Sequence, residues 1–158
     1  MSYTAAVLTI SDSSFQSKRQ DLSGPLLVQS LAAHKFQVTM TEVVPDEQKQ
    51  IEAALIRACE QTQLVITTGG TGIAPRDITP EATRAVCERM VDGLSEYLRY
   101  KSFPDKPFAA LSRAVCGTRG TSLIVNLPGN PQGAAKLLVY LLPIVPHALE
   151  LLQGNTEH

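Results

Sequence analysis

Cysteine is scarce in this chain. Cys59, Cys87 and Cys116 are the only three in 158 residues, odd in number, far apart and without a CxxC spacing. That argues against a disulfide framework or a cysteine-bound zinc and suits a reducing cytoplasm. Met1–Ile10 has no basic stretch ahead of a long apolar core, so no secretory signal is read there. The longest apolar run, Leu137–Val145, is broken by Pro143 and falls short of the roughly 20 residues that a membrane span needs. Charge of one sign is also missing. A formal net charge of −1 gives no electrostatic reason to expect nucleic acid or a membrane surface as partner. Lys18-Arg19 is the densest basic spot and reads as a solvated loop. His34 and His147 have no partners at metal-ligand spacing and read as packing or surface residues; His158 is terminal. What remains is 44% hydrophobic and 18% charged, the profile of an ordinary globular protein. A single domain over residues 1–158 is expected, able to bury roughly 70% of its unfolded surface.

Hydrophobic periodicity divides the chain into alternating strands and helices. Thr4–Ser11 reads as a central strand, and Phe15–Gly24 as a polar loop over its C-terminal end. A helix follows over Pro25–Lys35, then a more exposed, alternating strand over Phe36–Val44. Asp46 is placed to cap a helix with the stripe Ile51, Ala54, Leu55 and Ala58. Leu64–Thr67 has the length of a buried parallel strand. Thr79 as cap and Pro80 at the first helical position predict a helix to about Met90, with another short helix over Gly93–Tyr100. Ser102–Pro107 reads as a loop. Ala114–Cys116 is a short strand broken by Gly117–Gly120, and Ser122–Leu127 is the last buried strand. A helix runs from Ala134 to Leu142, where Pro143 and Pro146 bend it before a final turn through Leu152. Tyr97, Tyr100, Phe103 and Phe108 gather around one loop and read as packing. This alternation predicts an α/β fold with a mostly parallel sheet covered on both faces. Ligands of such folds bind beyond the C-terminal strand ends, where the loops Ser11–Gly24, Gly69–Asp77 and Pro128–Gly133 are expected to converge.

The chemistry gathers on those loops. Gly69-Gly70-Thr71-Gly72 lets the backbone turn sharply and approach a ligand, though a plain strand-to-helix turn looks the same. It is neither a P-loop nor the dinucleotide fingerprint. Arg76 has the fork to hold a phosphate in bidentate fashion. Asp77 offers a hard oxygen for Mg²⁺, or a local turn or cap. Asp46 stands on the same rim, as cap or as second metal ligand, and Asp12 is a third candidate. Ser11, Ser13 and Ser14 can donate to phosphate or cap a turn. Pro128-Gly129-Asn130 is either an ordinary turn or a set of N–H groups and an amide suited to a nucleotide.

Taken together the motifs become specific. TTGGTGIAPRDITPEAT, with ISDSSF, VVPDE at Val43–Glu47, LSR at Leu111–Arg113 and VCGTRGTSLIVNLPGNPQG at Val115–Gly133, closely resembles the molybdopterin adenylyltransferase family. That family includes Mog-type and MoaB proteins and the G domains of gephyrin and its plant counterpart. The resemblance runs from Ala6 to about Leu151. It implies a three-layer α/β/α sandwich, a homotrimer, and transfer of AMP from Mg²⁺-ATP to molybdopterin with release of pyrophosphate. It places Asp46 and Asp77 at the essential acidic positions and assigns the nucleotide to Gly69–Gly72 and Pro128–Asn130. Ser112, Arg119 and Thr121 fall nearer the pterin, and the metal-insertion step falls to a separate protein. The alternative is a MoaB-like pterin-binding or scaffold protein of the same fold with little catalysis.

Overall fold

The computed structural model describes residues 2–157; Met1 and His158 lie outside them. Its centre is a six-stranded sheet in the order β2-β1-β3-β6-β5-β4, with β4 over Arg89–Met90 and β5 over Cys116–Arg119. β1 (Thr4–Ile10), β2 (Gln37–Val44), β3 (Leu64–Thr68) and β6 (Ser122–Leu127) pair in parallel, with Ile10 opposite Val44, Thr9 opposite Thr68 and Thr68 opposite Leu127. Alternate side chains therefore serve two cores. Ala5, Val7, Leu64, Ile66, Leu123 and Val125 face one side, and Ala6, Leu8, Val65 and Ile124 the other. A strand buried on both faces shows continuous apolar sequence, which is why β3 and β6 are unbroken runs.

The first face is covered by α2 (Ser23–Ala33), α5 (Asp92–Ser102), α6 (Pro131–Leu141) and α7 (Val145–Leu152), through residues such as Leu27, Leu98, Leu138 and Leu149. The second is covered by α3 (Gln48–Gln61) and α4 (Thr79–Val86). In α3 the stripe Ile51, Ala54, Leu55 and Ala58 is fully buried, as its spacing requires. Thr62 closes that helix by donating its hydroxyl to the Ala58 carbonyl at 2.9 Å. The result is a three-layer α/β/α sandwich. Among the described residues no single helix is long and apolar enough to cross a membrane.

Several boundaries differ from expectation for identifiable reasons. Asp12–Phe15 forms a short helix, α1, capped by Ser11, whose hydroxyl accepts the Ser14 N–H. α2 starts at Ser23 because Asp21 accepts the Gly24 N–H at 2.9 Å. α4 stops at Val86 rather than Met90 because the chain turns into β4 (Arg89–Met90), which pairs antiparallel with β5 (Cys116–Arg119). β5 runs through Gly117 instead of breaking there, held by β4 on one side and β6 on the other. Sheet pairing across distant segments outweighs local propensity at both places. Of the aromatic cluster only Tyr97 packs against the core as expected; Tyr100, Phe103 and Phe108 are exposed, Phe108 by 80%.

Two adjacent residues of α6 test the layer assignment. Leu138 is fully buried and Val139 is 52% exposed. Leu138→Ala should cost about 2–5 kcal/mol in urea unfolding, while Val139→Ala should stay within about 0.5 kcal/mol.

Candidate active site

Because β2, β1, β3 and β6 are parallel neighbours, their C-terminal ends form one rim. Asp46 follows β2, Ser11 and Asp12 follow β1, Gly69 and Gly70 follow β3, and Pro128–Asn130 follow β6. The loops after β3 and β6 are tied together. Thr68 donates its hydroxyl to the Pro128 carbonyl at 2.8 Å, and the Gly69 N–H bonds the Leu127 carbonyl at 3.1 Å. Gly69 has φ +101°, and a side chain there would sit 2.3 Å from the Ile10 carbonyl oxygen. Gly70, at φ +67°, leaves room for Thr79, whose hydroxyl donates to the Gly69 carbonyl at 2.9 Å. Thr79 thus lies inside α4 and braces the loop; it does not cap the helix.

Two cavities flank this glycine turn. One, of about 470 Å³, is polar and is lined by Ser11, Ser14, Arg19, Asp46, Gly70 and Asp77. The other, of about 270 Å³, is mainly apolar, with Leu98, Phe108, Leu111 and Leu137 beside Thr71 and Ser112. Asn130 borders both. Its side-chain oxygen accepts the Gly133 N–H at 2.8 Å and caps α6, which leaves the amide NH₂ for other work.

Asp46 does not cap α3. The cap position belongs to Glu47, which makes no side-chain cap bond. Instead Asp46 and Asp12 form a reciprocal pair: the Asp12 N–H bonds Asp46 Oδ2 at 2.9 Å, and the Asp46 N–H bonds Asp12 Oδ1 at 3.0 Å. Arg76 locks this pair. Its Nε lies 2.6 Å from Asp12 Oδ2, and its Nη2 bonds the Asp46 carbonyl at 3.1 Å and Glu47 Oε1 at 2.9 Å. The Arg76 guanidinium holds the Asp12 carboxyl below its ordinary range. Burial pushes the Asp46 carboxyl up; the Asp12 N–H opposes that, and the charges of Asp12 and Asp77 reinforce it.

Asp77 closes a local turn, with its Oδ2 accepting the Ala74 N–H at 3.0 Å and its own N–H bonding the Ala74 carbonyl at 2.9 Å. Asp77 is also held through its backbone. Arg113 donates Nη2 to the Asp77 carbonyl and Nε to the Gly72 carbonyl, each at 2.7 Å, and pairs with Glu81. That pairing holds the Glu81 carboxyl below its ordinary range. Asp46 Oδ1 and Asp77 Oδ1 have no protein hydrogen-bond partner among the described residues. The rim therefore offers two hard anionic oxygens to a ligand.

The structure does not bring every expected site residue to this place. Arg76 directs its Nε and Nη2 to Asp12, Asp46 and Glu47 and does not line the polar cleft. Arg119, whose Nη1 bonds the Val86 carbonyl, and Thr121 sit at the β5–β6 turn. That turn is at the opposite end of β6, roughly 17–20 Å from the rim. Ser112 does stand at a cavity, the apolar one. Three further residues serve the site: Arg19, which the sequence reads only as part of a solvated loop, Asp21 and Arg113. Arg19 lines the polar cleft from the loop after β1. Asp21 fastens that loop to the sheet by accepting the Thr9 hydroxyl at 2.8 Å. The place of Arg19 and Asp21 in the loop between β1 and α2 was the available signal; Arg113 carried none beyond its motif.

Residues 6–147 match the family described as "Probable molybdopterin binding domain". A molybdopterin adenylyltransferase of Helicobacter pylori J99 is 42% identical over 153 residues, covering 94% of this chain and 87% of that protein. The molybdenum cofactor synthesis protein cinnamon of Drosophila melanogaster is 41% identical over 99% of this chain, which matches 26% of its length. Among solved structures, the molybdopterin biosynthesis enzyme MoaB of Thermus thermophilus superposes with a TM-score of 0.90 at 45% identity, covering 96% of this chain and 97% of that one.

Gly69→Ala should cost about 1–3 kcal/mol, through a strained backbone and contact with the Ile10 carbonyl. Urea unfolding checks this.

Proposed function

This chain belongs to the molybdopterin-binding domain family of molybdenum cofactor biosynthesis, and on that premise we propose that it is a molybdopterin adenylyltransferase using ATP. The observation that carries this reading is the meeting of Asp46, Asp77 and the glycine turn at a polar cleft beside an apolar cavity. The apolar cavity suits a purine base, flat and largely apolar with a few polar edges. Thr71, Gly72, Pro128 and Asn130 border it, while Gly69, Gly70 and Gly129 border the polar cleft. The nucleotide accordingly spans the two, its phosphates crossing the glycine turn toward the carboxylates. The pterin's terminal phosphate enters the polar cleft on the side of Ser11, Ser14 and Arg19. On this reading Ser112, at the apolar cavity, stands beside the base and not nearer the pterin as the resemblance implied.

In the transfer, an oxygen of the terminal phosphate attacks the α-phosphorus of ATP. The bond from that phosphorus to the oxygen bridging to the β-phosphate breaks, and pyrophosphate leaves with both bonding electrons. The attacking oxygen is already anionic at neutral pH, so the chain needs no strong general base. Its task is to bring two anions together and hold them in line. Ser11 and Ser14 supply hydroxyl donors and Arg19 a cation. The glycine turn brings backbone close to the phosphates.

The donor set fits Mg²⁺. Among the described residues no group of three or more His, Cys, Asp or Glu side chains forms a ready metal cage. Mg²⁺ is typically held by one or two carboxylates and completed by substrate phosphates and water. Asp46 and Asp77 would hold it, and the ion would offset charge on the triphosphate and on the leaving pyrophosphate.

We further place the protein in the cytoplasm, consistent with three free cysteines. Its assembly is read as a homotrimer, for which the exposed Tyr100 and Phe103 supply apolar contact surface. Insertion of the metal is left to a separate protein; in cinnamon the matched part is about a quarter of a longer chain.

Asp77→Ala should lower kcat for adenylyl transfer by about 100-fold or more while leaving molybdopterin affinity within about threefold. Turnover of labelled ATP with molybdopterin checks this. Wild-type turnover in the variant refutes the metal assignment, and no turnover in the unaltered protein leaves a pterin-binding scaffold. Sedimentation should give the mass of three chains.

A further inference from the structure

We propose that Arg113 is a positioning residue for the transfer reaction, setting the placement of Asp77 and of the Thr71-Gly72 backbone. This rests on the adenylyltransferase reading above. Two arginines divide the rim between them. Arg76 is taken by Asp12, Glu47 and the Asp46 carbonyl, so it fixes the Asp46 side. On the other side the residue in the corresponding position is Arg113.

All parts of Arg113 converge on one segment. Its backbone N–H bonds the Thr71 carbonyl at 2.8 Å. Its guanidinium reaches the Gly72 and Asp77 carbonyls, each at 2.7 Å, and the carboxylate of Glu81 in the first turn of α4. The Gly72 and Asp77 carbonyls bracket the exposed segment Ile73–Arg76. Within that segment the one brace on the Asp77 carboxylate is the Ala74 N–H. Without Arg113 the turn would still be held at its start by the Thr79–Gly69 bond and through Arg76 by Asp12, Glu47 and the Asp46 carbonyl, but the Gly72 and Asp77 carbonyls would lose their partner. The backbone that carries the Asp77 carboxylate would then be less closely fixed relative to Asp46, with Arg76 as the remaining tie between them.

The residues on either side of Arg113, Ser112 and Ala114, both line the apolar cavity. The chain that forms one wall of that cavity is therefore the chain that grips the acidic loop. Arg113 ties the place of the nucleotide base to the place of the carboxylate. It touches neither, and it acts through Asp77. A lysine cannot replace it, because one ammonium cannot span the Gly72 and Asp77 carbonyls and Glu81 in the planar fork that a guanidinium offers.

The test uses the full chain with Arg113→Lys and Arg113→Ala. Arg113→Lys should keep the wild-type Tm within a few degrees yet lower kcat by about 10–100-fold, the range seen when a supporting contact to a ligating group is lost. KM for molybdopterin should stay within about threefold, and the Mg²⁺ concentration for half-maximal rate should rise. Arg113→Ala should go further, and amide hydrogen exchange in residues 71–77 should accelerate while β3 and β6 stay protected. Wild-type kcat in Arg113→Lys, or unchanged exchange across residues 71–77 in Arg113→Ala, overturns the assignment. A parallel loss of molybdopterin affinity and kcat also overturns it, since that marks a general structural role. If the unaltered protein transfers no adenylyl group, the functional reading itself fails; an active wild type with an active Arg113→Lys removes only this inference.

Discussion

Everything at the rim depends on the parallel alignment of β2, β1, β3 and β6. Each of these strands ends beside its neighbour, so residues separated by tens of positions in sequence come within hydrogen-bonding distance. The alignment is specified by burial on both faces. Slipping β3 by one residue would exchange Ile66 with Val65 between two differently shaped cores. The energy that sets the register is hydrophobic and spread over the sheet. The chemistry that uses the register is polar and confined to one edge.

At that edge the charges are arranged with little left over. Asp12 is satisfied by Arg76 and the Asp46 N–H, and Glu81 by Arg113. These pairs are partly exposed, so their worth to global stability is small. Their value is geometric: each arginine also grips backbone carbonyls and so fixes a carboxylate-bearing loop that has no regular structure of its own. Asp46 and Asp77 each keep one oxygen unpaired. Burial raises the Asp46 carboxyl, and the charges of Asp12 and Asp77 add to that; a cation in the cleft would offset both effects.

Helix entry follows the same pattern. α3 and α4 begin without a side-chain cap, although Asp46 and Thr79 stand at the places where caps are expected. A cap is typically worth about 1 kcal/mol, and both residues are turned to other tasks, Asp46 to the cleft and Thr79 to the Gly69 carbonyl. By contrast Asn130 caps α6 and still borders both cavities, because an amide has a donor end to spare. Local rules broken in this way mark where function competes with folding.

The sequence by itself determined the strands buried on two faces, the α3 stripe, the alternation that demands a covered parallel sheet, and the glycine turn at a strand end. These follow from periodicity within ten or so residues, and side-chain direction in a strand or helix is fixed by that period. Only the tertiary structure decided where the charged side chains go. Arg76 and Asp12 are 64 residues apart and Arg113 and Gly72 are 41; nothing local distinguishes an arginine that will bind phosphate from one that will bind a carboxylate. Arg19 lines the cleft and Arg119 bonds the Val86 carbonyl at the far end of β6 for the same reason. A long flexible cation takes whatever acceptor the fold places within reach, and that placement exists only once the strands have paired.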